Sequence, residues 1–272
     1  MPCPSSDIRD GAINYSQLSG CRYMKKNIWI CVLLLFANMA AAQVAAPARP
    51  ASNPFVLSAA QKDKLLADWP QLERYREENA ALPPPGKGDK RVVFMGDSIT
   101  DIWRGRDFFP GKHYINRGIS GQTTGQMLIR FRADVIALKP RVVVILAGTN
   151  DIADNKGPYS LPMIEDNLIS MAELARVNGI KVVLASITPV NDVYLPLTAG
   201  RPPEKIQALN AWIKAYARRE HFIYLDYYDA LVGPHDMLKK DFSADGIHPN
   251  PTGYAVMSPL AQRAIDKALM GP

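Results

Sequence analysis

From residue 92 onward, short, wholly apolar runs alternate with longer amphipathic ones. Val92-Val93-Phe94-Met95 is four apolar residues stopped by Gly96. Such a run reads as a buried strand with a glycine break. Tyr114 to Ile119 reads as a second, shorter strand, and Arg141 to Ala147 as a third. Lys181 to Ile187, closed by Pro189, and His221 to Leu225 complete the set. Strands without polar alternation belong to sheets covered on both faces.

Between them the period changes to that of helices. Over Thr123 to Leu138, Met127, Leu128, Phe131, Val135 and Ile136 fall on one face. Leu161 to Asn178 is a second helical stretch, capped by Gly179, and Pro203 to Glu220 a third. Pro251 to Leu269 closes the chain, with proline in its first turn. Strand–helix alternation at this spacing implies right-handed crossovers and an α/β fold. That fold is a three-layer α/β/α sandwich around a mostly parallel sheet. Upstream, a helix opens at Ser58 with Ala59, Ala60, Leu65, Leu66, Trp69 and Leu72 roughly on one face. Pro70 divides it, and Arg74 to Glu78 reads as a solvated, charged surface.

The front of the chain follows a different pattern. Met24-Lys25-Lys26 precedes the apolar run Ile28 to Phe36, then Ala40-Ala41-Ala42. A positive start, a short apolar centre and small residues form a secretory signal over residues 24–42. The run is short for a membrane-spanning helix, although an uncleaved anchor is the competing reading. Residues 1–23 then read as an upstream extension. Residues 43–57, rich in Ala and Pro, read as a linker, and 58–272 as one domain with an N-terminal helical extension at 58–82. All three cysteines, Cys3, Cys21 and Cys31, precede the expected cleavage point. The mature chain therefore has neither a thiol nucleophile nor a disulfide, as suits a periplasmic or secreted protein. The net charge of +6 in 272 residues is not clustered outside the leader. No nucleic-acid partner is expected, nor stable membrane insertion after cleavage.

The polar residues that could do chemistry gather just after strands, where open α/β sheets bind ligands. Gly96-Asp97-Ser98 follows the first strand and Gly118-Ile119-Ser120-Gly121-Gln122-Thr123 the second. Gly148-Thr149-Asn150-Asp151 follows the third, and Asp245-Gly246-Ile247-His248-Pro249 precedes the last helix. Acyl transfer needs a serine nucleophile, a base to take its proton and a group to orient that base. Ser98, His248 and Asp245 can fill these roles in that order. It also needs preset donors for an oxyanion. The backbone N–H groups of Ser98 and Gly121 and the side-chain amide of Asn150 are candidates. At Gly121 the missing Cβ would let the backbone approach a ligand. Each block alone has a plain structural reading: Ser98 as a helix start, Asp245-Gly246 as a turn, His248 as a cap. Asp97 and Asp151 read as loop-orienting residues.

Taken together and in order, the four blocks resemble the SGNH hydrolases, the GDSL-type esterase and lipase superfamily. The likeness spans Arg91 to Leu269. Ile99 stands where leucine is usual, and Asn116-Arg117-Gly118-Ile119 is most similar to the acetylhydrolase and lysophospholipase-like branch. The Gly-x-Ser-x-Gly elbow of the α/β-hydrolases is absent. The resemblance implies a flavodoxin-like sheet, Ser98, Asp245 and His248 as catalytic residues, and Gly121 and Asn150 in the oxyanion hole. It implies ester hydrolysis through an acyl-enzyme, without cofactor or metal. Loops at Ile152 to Tyr159 and Thr188 to Pro203 should frame the site, with Tyr159 and Tyr194 as candidate substrate contacts. Arg104 and Arg106 follow the nucleophile and could meet an anion or simply be surface charges. With no long apolar cap segment, the favoured substrate is a short acyl ester, such as an acetyl group on a carbohydrate or small molecule. A lysophospholipase or thioesterase for longer chains is the alternative, and a non-catalytic carbohydrate-binding protein the alternative of another class. The oligomeric state is left open.

Overall fold

The computed structural model describes residues 58–103 and 108–270. The signal peptide, the upstream extension, the linker and the pair Arg104 and Arg106 lie outside the described residues. Five parallel strands form the sheet in the order β2-β1-β3-β4-β5: β1 (Val92–Gly96), β2 (Tyr114–Gly118), β3 (Val142–Leu146), β4 (Lys181–Ala185) and β5 (Ile223–Leu225). This is the flavodoxin-like order, whose switch point lies between β1 and β3.

The apolar strands are apolar because both faces are covered. Val93, Met95, Val143 and Ile145 point into one core, beneath α4 (Thr124–Asp134), α6 (Leu161–Val177) and α8 (Pro203–Arg219). Val92, Phe94, Val142, Val144 and Leu146 point into the other, beneath α3 (Ser98–Ile102) and α10 (Pro251–Met270). That second face carries an aromatic cluster in which Trp103 stacks on Tyr254 at 4.9 Å between ring centres. Met127, Phe131 and Val135 are fully buried, as their spacing predicts, while Leu128 and Ile136 are only partly so. No helix among the described residues is long and apolar enough to cross a membrane.

Shorter helices were not visible in the pattern: α3, α5 (Thr149–Ile152), α7 (Leu197–Gly200) and α9 (Tyr228–Leu231). The N-terminal segment differs more. It forms α1 (Ala59–Ala67), a 3-10 turn at Leu72–Tyr75 and α2 (Arg76–Ala81). The apolar face expected on the first helix is not buried: Leu66 is 78% exposed and Leu72 42%. The segment is instead anchored by Tyr75, 1% exposed in a stretch expected to be solvated. The Tyr75 hydroxyl donates to the Gly118 carbonyl, and the Arg117 guanidinium lies 4.5 Å over its ring. At Gly118 the chain itself passes close: a Cβ there would fall 2.2 Å from the backbone nitrogen of Asp101. Only glycine lets β2 and α3 pack at this distance.

Candidate active site

Ser98 follows β1 directly and is the first residue of α3. Asp97 caps that helix, its Oδ1 accepting from the Ile99 N–H at 2.9 Å. A first-turn residue has no intrahelical acceptor for its N–H. The Ser98 N–H therefore has no acceptor within its own helix. Ser98 itself is 8% exposed, so its hydroxyl sits at the floor of the strand-end cleft.

His248 reaches this hydroxyl from the loop before α10, with Nε2 2.9 Å from Ser98 Oγ. Its Nδ1 lies 2.6 Å from Asp245 Oδ2. The Asp-x-x-His spacing permits this because Asp245 folds the turn around its own side chain. Asp245 Oδ1 accepts from the N–H groups of Ile247 at 3.0 Å and His248 at 2.8 Å. Ser243 Oγ donates to the same oxygen at 3.1 Å. Burial acts to raise the Asp245 carboxyl. The His248 ring bond, the two backbone N–H bonds and the nearby imidazole charge outweigh burial and hold it down to about 2. An ionised carboxylate on Nδ1 keeps the proton there and leaves Nε2 as the acceptor facing serine.

Gly121 and Asn150 complete the cleft from the two neighbouring strand ends. Gly121 sits in the left-handed region at φ +76°, and a Cβ there would meet nothing within 4 Å. The backbone conformation, not a close approach of protein atoms, is therefore what calls for glycine; the space beyond it is open. Asn150, 3% exposed, donates through Nδ2 to the Gln122 carbonyl at 3.0 Å. Its Oδ1 accepts from Asn155 at 2.6 Å. One amide proton is used on Gln122, and the second remains for a ligand.

The buried acids behave as loop supports. Asp151 accepts from the Thr124 N–H at 3.0 Å through both oxygens and from the Thr124 hydroxyl. Burial pushes its carboxyl up to about 6. Asp97 is 1% exposed, its Oδ2 has no partner, and burial with the nearby Asp151 charge pushes it up to about 7. Of the two framing loops, Thr188 to Pro203 sends Arg201 inward, its Nε 3.2 Å from Thr149 Oγ1 beside Asn150. Tyr194 stands out at 56% exposed. Tyr159 is half-buried, with its hydroxyl 3.1 Å from Thr123 Oγ1 and its ring packed on the α4 side of the core. Two cavities have neither Ser98 nor His248 in their walls. One, about 1020 Å³, runs along α10 past Pro249 and is lined by Ile102, Trp103, Phe109 and Tyr254. The other, about 530 Å³, lies between α2 and β2. Sequence reasoning missed Ser243 and the side chain of Gln122, although Gln122 lies inside a quoted block; Arg201 belongs to the loop expected to frame the site.

The comparisons identify the family. The model of the GDSL-like lipase/acylhydrolase family matches residues 94–256. The crystal structure of a GDSL-like lipase from Bacteroides thetaiotaomicron is 47% identical, with a TM-score of 0.70, covering 74% of this chain and 100% of that one. An acetylxylan esterase of Geobacillus stearothermophilus is 25% identical over 215 residues, 66% of this chain and 95% of that protein. An uncharacterized lipoprotein of Bacillus subtilis is 33% identical over 124 residues, 39% of this chain. The chain spans about half of that lipoprotein's length, 51%. With strand order, motif order and family model in agreement, the chain belongs to the GDSL-like lipase/acylhydrolase family and is an ester hydrolase of that type.

Proposed function

We propose that the protein is an exported serine esterase that removes short acyl groups, acetyl above all, from a carbohydrate or small-molecule ester. The observation that carries the reading is the unbroken chain from Ser98 Oγ through His248 to Asp245, with contacts of 2.9 and 2.6 Å. In this reading His248 Nε2 takes the Ser98 proton as Oγ attacks the ester carbonyl carbon. The carbonyl electrons move onto oxygen, which the N–H groups of Ser98 and Gly121 and the Asn150 amide receive. Collapse breaks the bond to the alcohol, which leaves with the proton from Nε2. A water, deprotonated by the same nitrogen, then attacks the acyl carbon; the bond to Ser98 Oγ breaks, Oγ takes the proton back from Nε2, and the acid leaves. Asp245 holds the imidazole and stabilises its charge at each proton transfer.

Three observations favour a short acyl group. Ser98 is nearly buried, and the apolar cavity along α10 does not have it in its walls. A relative matched over nearly its whole length is named an acetylxylan esterase. Exposed Tyr194, on the loop framing the site, offers a stacking face for a sugar ring. Tyr159, bonded to Thr123, supports the loop rather than offering such a face. Export rests on the signal-like segment at 24–42 and the cysteine-free mature chain. A relative named as a lipoprotein fits an envelope location. The alternative, a lysophospholipase or thioesterase for longer chains, draws on that same cavity. Its wall begins at Ile102, one helical turn from Ser98. A chain-length series of p-nitrophenyl esters from acetate to decanoate, on protein starting at Gln43, decides between them. An optimum at acetate is expected; an optimum at octanoate or beyond replaces this reading with the alternative.

A further inference from the structure

The Gln122 side chain, 0% exposed, has no solvent contact and no part in the chemistry described above. Its Nε2 donates to the Pro70 carbonyl at 2.8 Å, and its Oε1 accepts from Arg130 Nε at 2.5 Å. Its backbone carbonyl is the one that holds the Asn150 amide, at 3.0 Å. Arg130, also 0% exposed, donates onward to the Gly96 carbonyl at 3.1 Å and to Asp134 at 2.9 Å. Gly96 ends the strand that presents Ser98. Gln122 thus ties the N-terminal segment to Arg130 through its carboxamide and reaches Asn150 after β3 through its backbone carbonyl, while Arg130 carries the link on to the end of β1. That segment is tied down at three further points. Gln126 Nε2 donates to the Trp69 carbonyl at 2.6 Å, and the Tyr75 hydroxyl donates to Gly118. Asn79 accepts from Arg117 at 2.9 Å and donates to Asp134 at 2.7 Å.

We propose that Gln122 is a positioning residue for the oxyanion hole, clamped between the Pro70 carbonyl and Arg130 so that its own peptide carbonyl aims the Asn150 amide. The inference rests on the reading of Gly121 and Asn150 as oxyanion donors. The physical case is preorganisation. A donor stabilises developing charge only if it is already aimed when the charge forms. The Asn150 amide can turn about its last torsion unless its partner is fixed. The Gln122 carbonyl belongs to the residue next to Gly121, so one clamp sets two of the three donors. Burying a carboxamide is unfavourable unless every bond is made, and here both ends are paired. Residues 69–75 are in this account part of the machinery: they supply the carbonyl without which the carboxamide is unpaired.

The test compares Gln122→Met, which keeps length and loses both side-chain bonds, with Gln122→Glu, which keeps the Arg130 bond and loses the donor to Pro70. Kinetics with p-nitrophenyl acetate are read beside inhibition by phenylboronic acid, whose serine adduct places an oxygen in the oxyanion site. Gln122→Met is expected to lower kcat at least tenfold with KM within threefold. Boronate affinity should fall in parallel and the pH profile should stay in place. Gln122→Glu should lose less than Gln122→Met but at least threefold in kcat and in boronate affinity. A folded Gln122→Met or Gln122→Glu with kcat and boronate affinity within twofold of the parent overturns the proposal. So does a fall in kcat with boronate affinity unchanged. If Gln122→Met does not fold, Gln122→Glu alone decides on the same criteria. Ser98→Ala separates the two levels: retained activity there removes the catalytic reading itself. Its loss beside an unaffected Gln122 variant removes only the role of Gln122.

Discussion

Asp97→Asn should stabilise the protein at pH 8 relative to its effect at pH 5. The Asp97 carboxyl is fully buried beside the nucleophile, with Oδ2 unpartnered, and is pushed from the ordinary 3.8 up to about 7. A carboxyl raised on folding binds its proton more tightly in the native chain. The penalty is therefore absent below about 4, grows as the pH rises and is complete above about 7. With those two values, linkage gives a penalty of about 2 kcal/mol at pH 5 and about 4 kcal/mol at pH 8. Asparagine keeps the oxygen that caps Ile99 and cannot ionise. Its effect relative to wild type should thus improve by roughly 2–3 kcal/mol between the two pH values. For a domain of this size that is a change of roughly 5–10 °C in the melting-temperature difference. Denaturant midpoints at pH 5 and pH 8 measure it without heating. Whatever the pairing of the new amide contributes relative to the neutral acid is the same at both pH values and cancels. A difference between mutant and wild type that does not change with pH refutes the reasoning. It would mean that Arg201, or another charge, keeps the carboxylate ionised.

Asp245→Asn should leave the fold intact and lower kcat by roughly 10³-fold, because the imidazole loses the acceptor that sets its tautomer. Less than a tenfold loss in steady-state kinetics would contradict the role given to Asp245. Gly121→Ala forces a side chain into φ +76°, costing about 1–2 kcal/mol, so it should fold with a reduced melting temperature. It should also lose at least about tenfold in kcat as the N–H moves; unchanged kcat would place the oxyanion elsewhere. Phe131→Ala, at a fully buried position, should cost about 3–5 kcal/mol in denaturant unfolding. A loss under 1 kcal/mol would argue against the packing of α4 on the sheet.

What could be read from the sequence, and what could not, follows from where the signal lies. Strands β1, β3 and β4 were legible because both their faces are buried and, apart from the exposed Lys181 that opens β4 and Gly96 that ends β1, every position is apolar. Helices α4, α6 and α8 were legible because one face is buried and repeats with the helical period. The four polar blocks were legible because they interrupt these patterns at strand ends. Short helices α3 and α5 carry too few residues to show a period, and they begin inside the polar blocks themselves. The α1 face failed for a different reason. Its apolar residues match a helical spacing, yet Leu66 remains exposed while Tyr75 and the carbonyls of Trp69 and Pro70 make the attachments. Backbone carbonyls have no sequence signature. Arg130 shows the same limit: it reads as the polar side of α4, yet it is buried because Gln122, Asp134 and Gly96 pair with it.

The most direct test of the central claim is labelling and turnover by wild type and Ser98→Ala side by side. A fluorophosphonate should modify one serine in the wild-type protein, mapped by mass spectrometry to Ser98. The alanine variant, folded by circular dichroism, should neither label nor hydrolyse p-nitrophenyl acetate above background. Labelling at another serine, or normal hydrolysis by Ser98→Ala, would contradict the account.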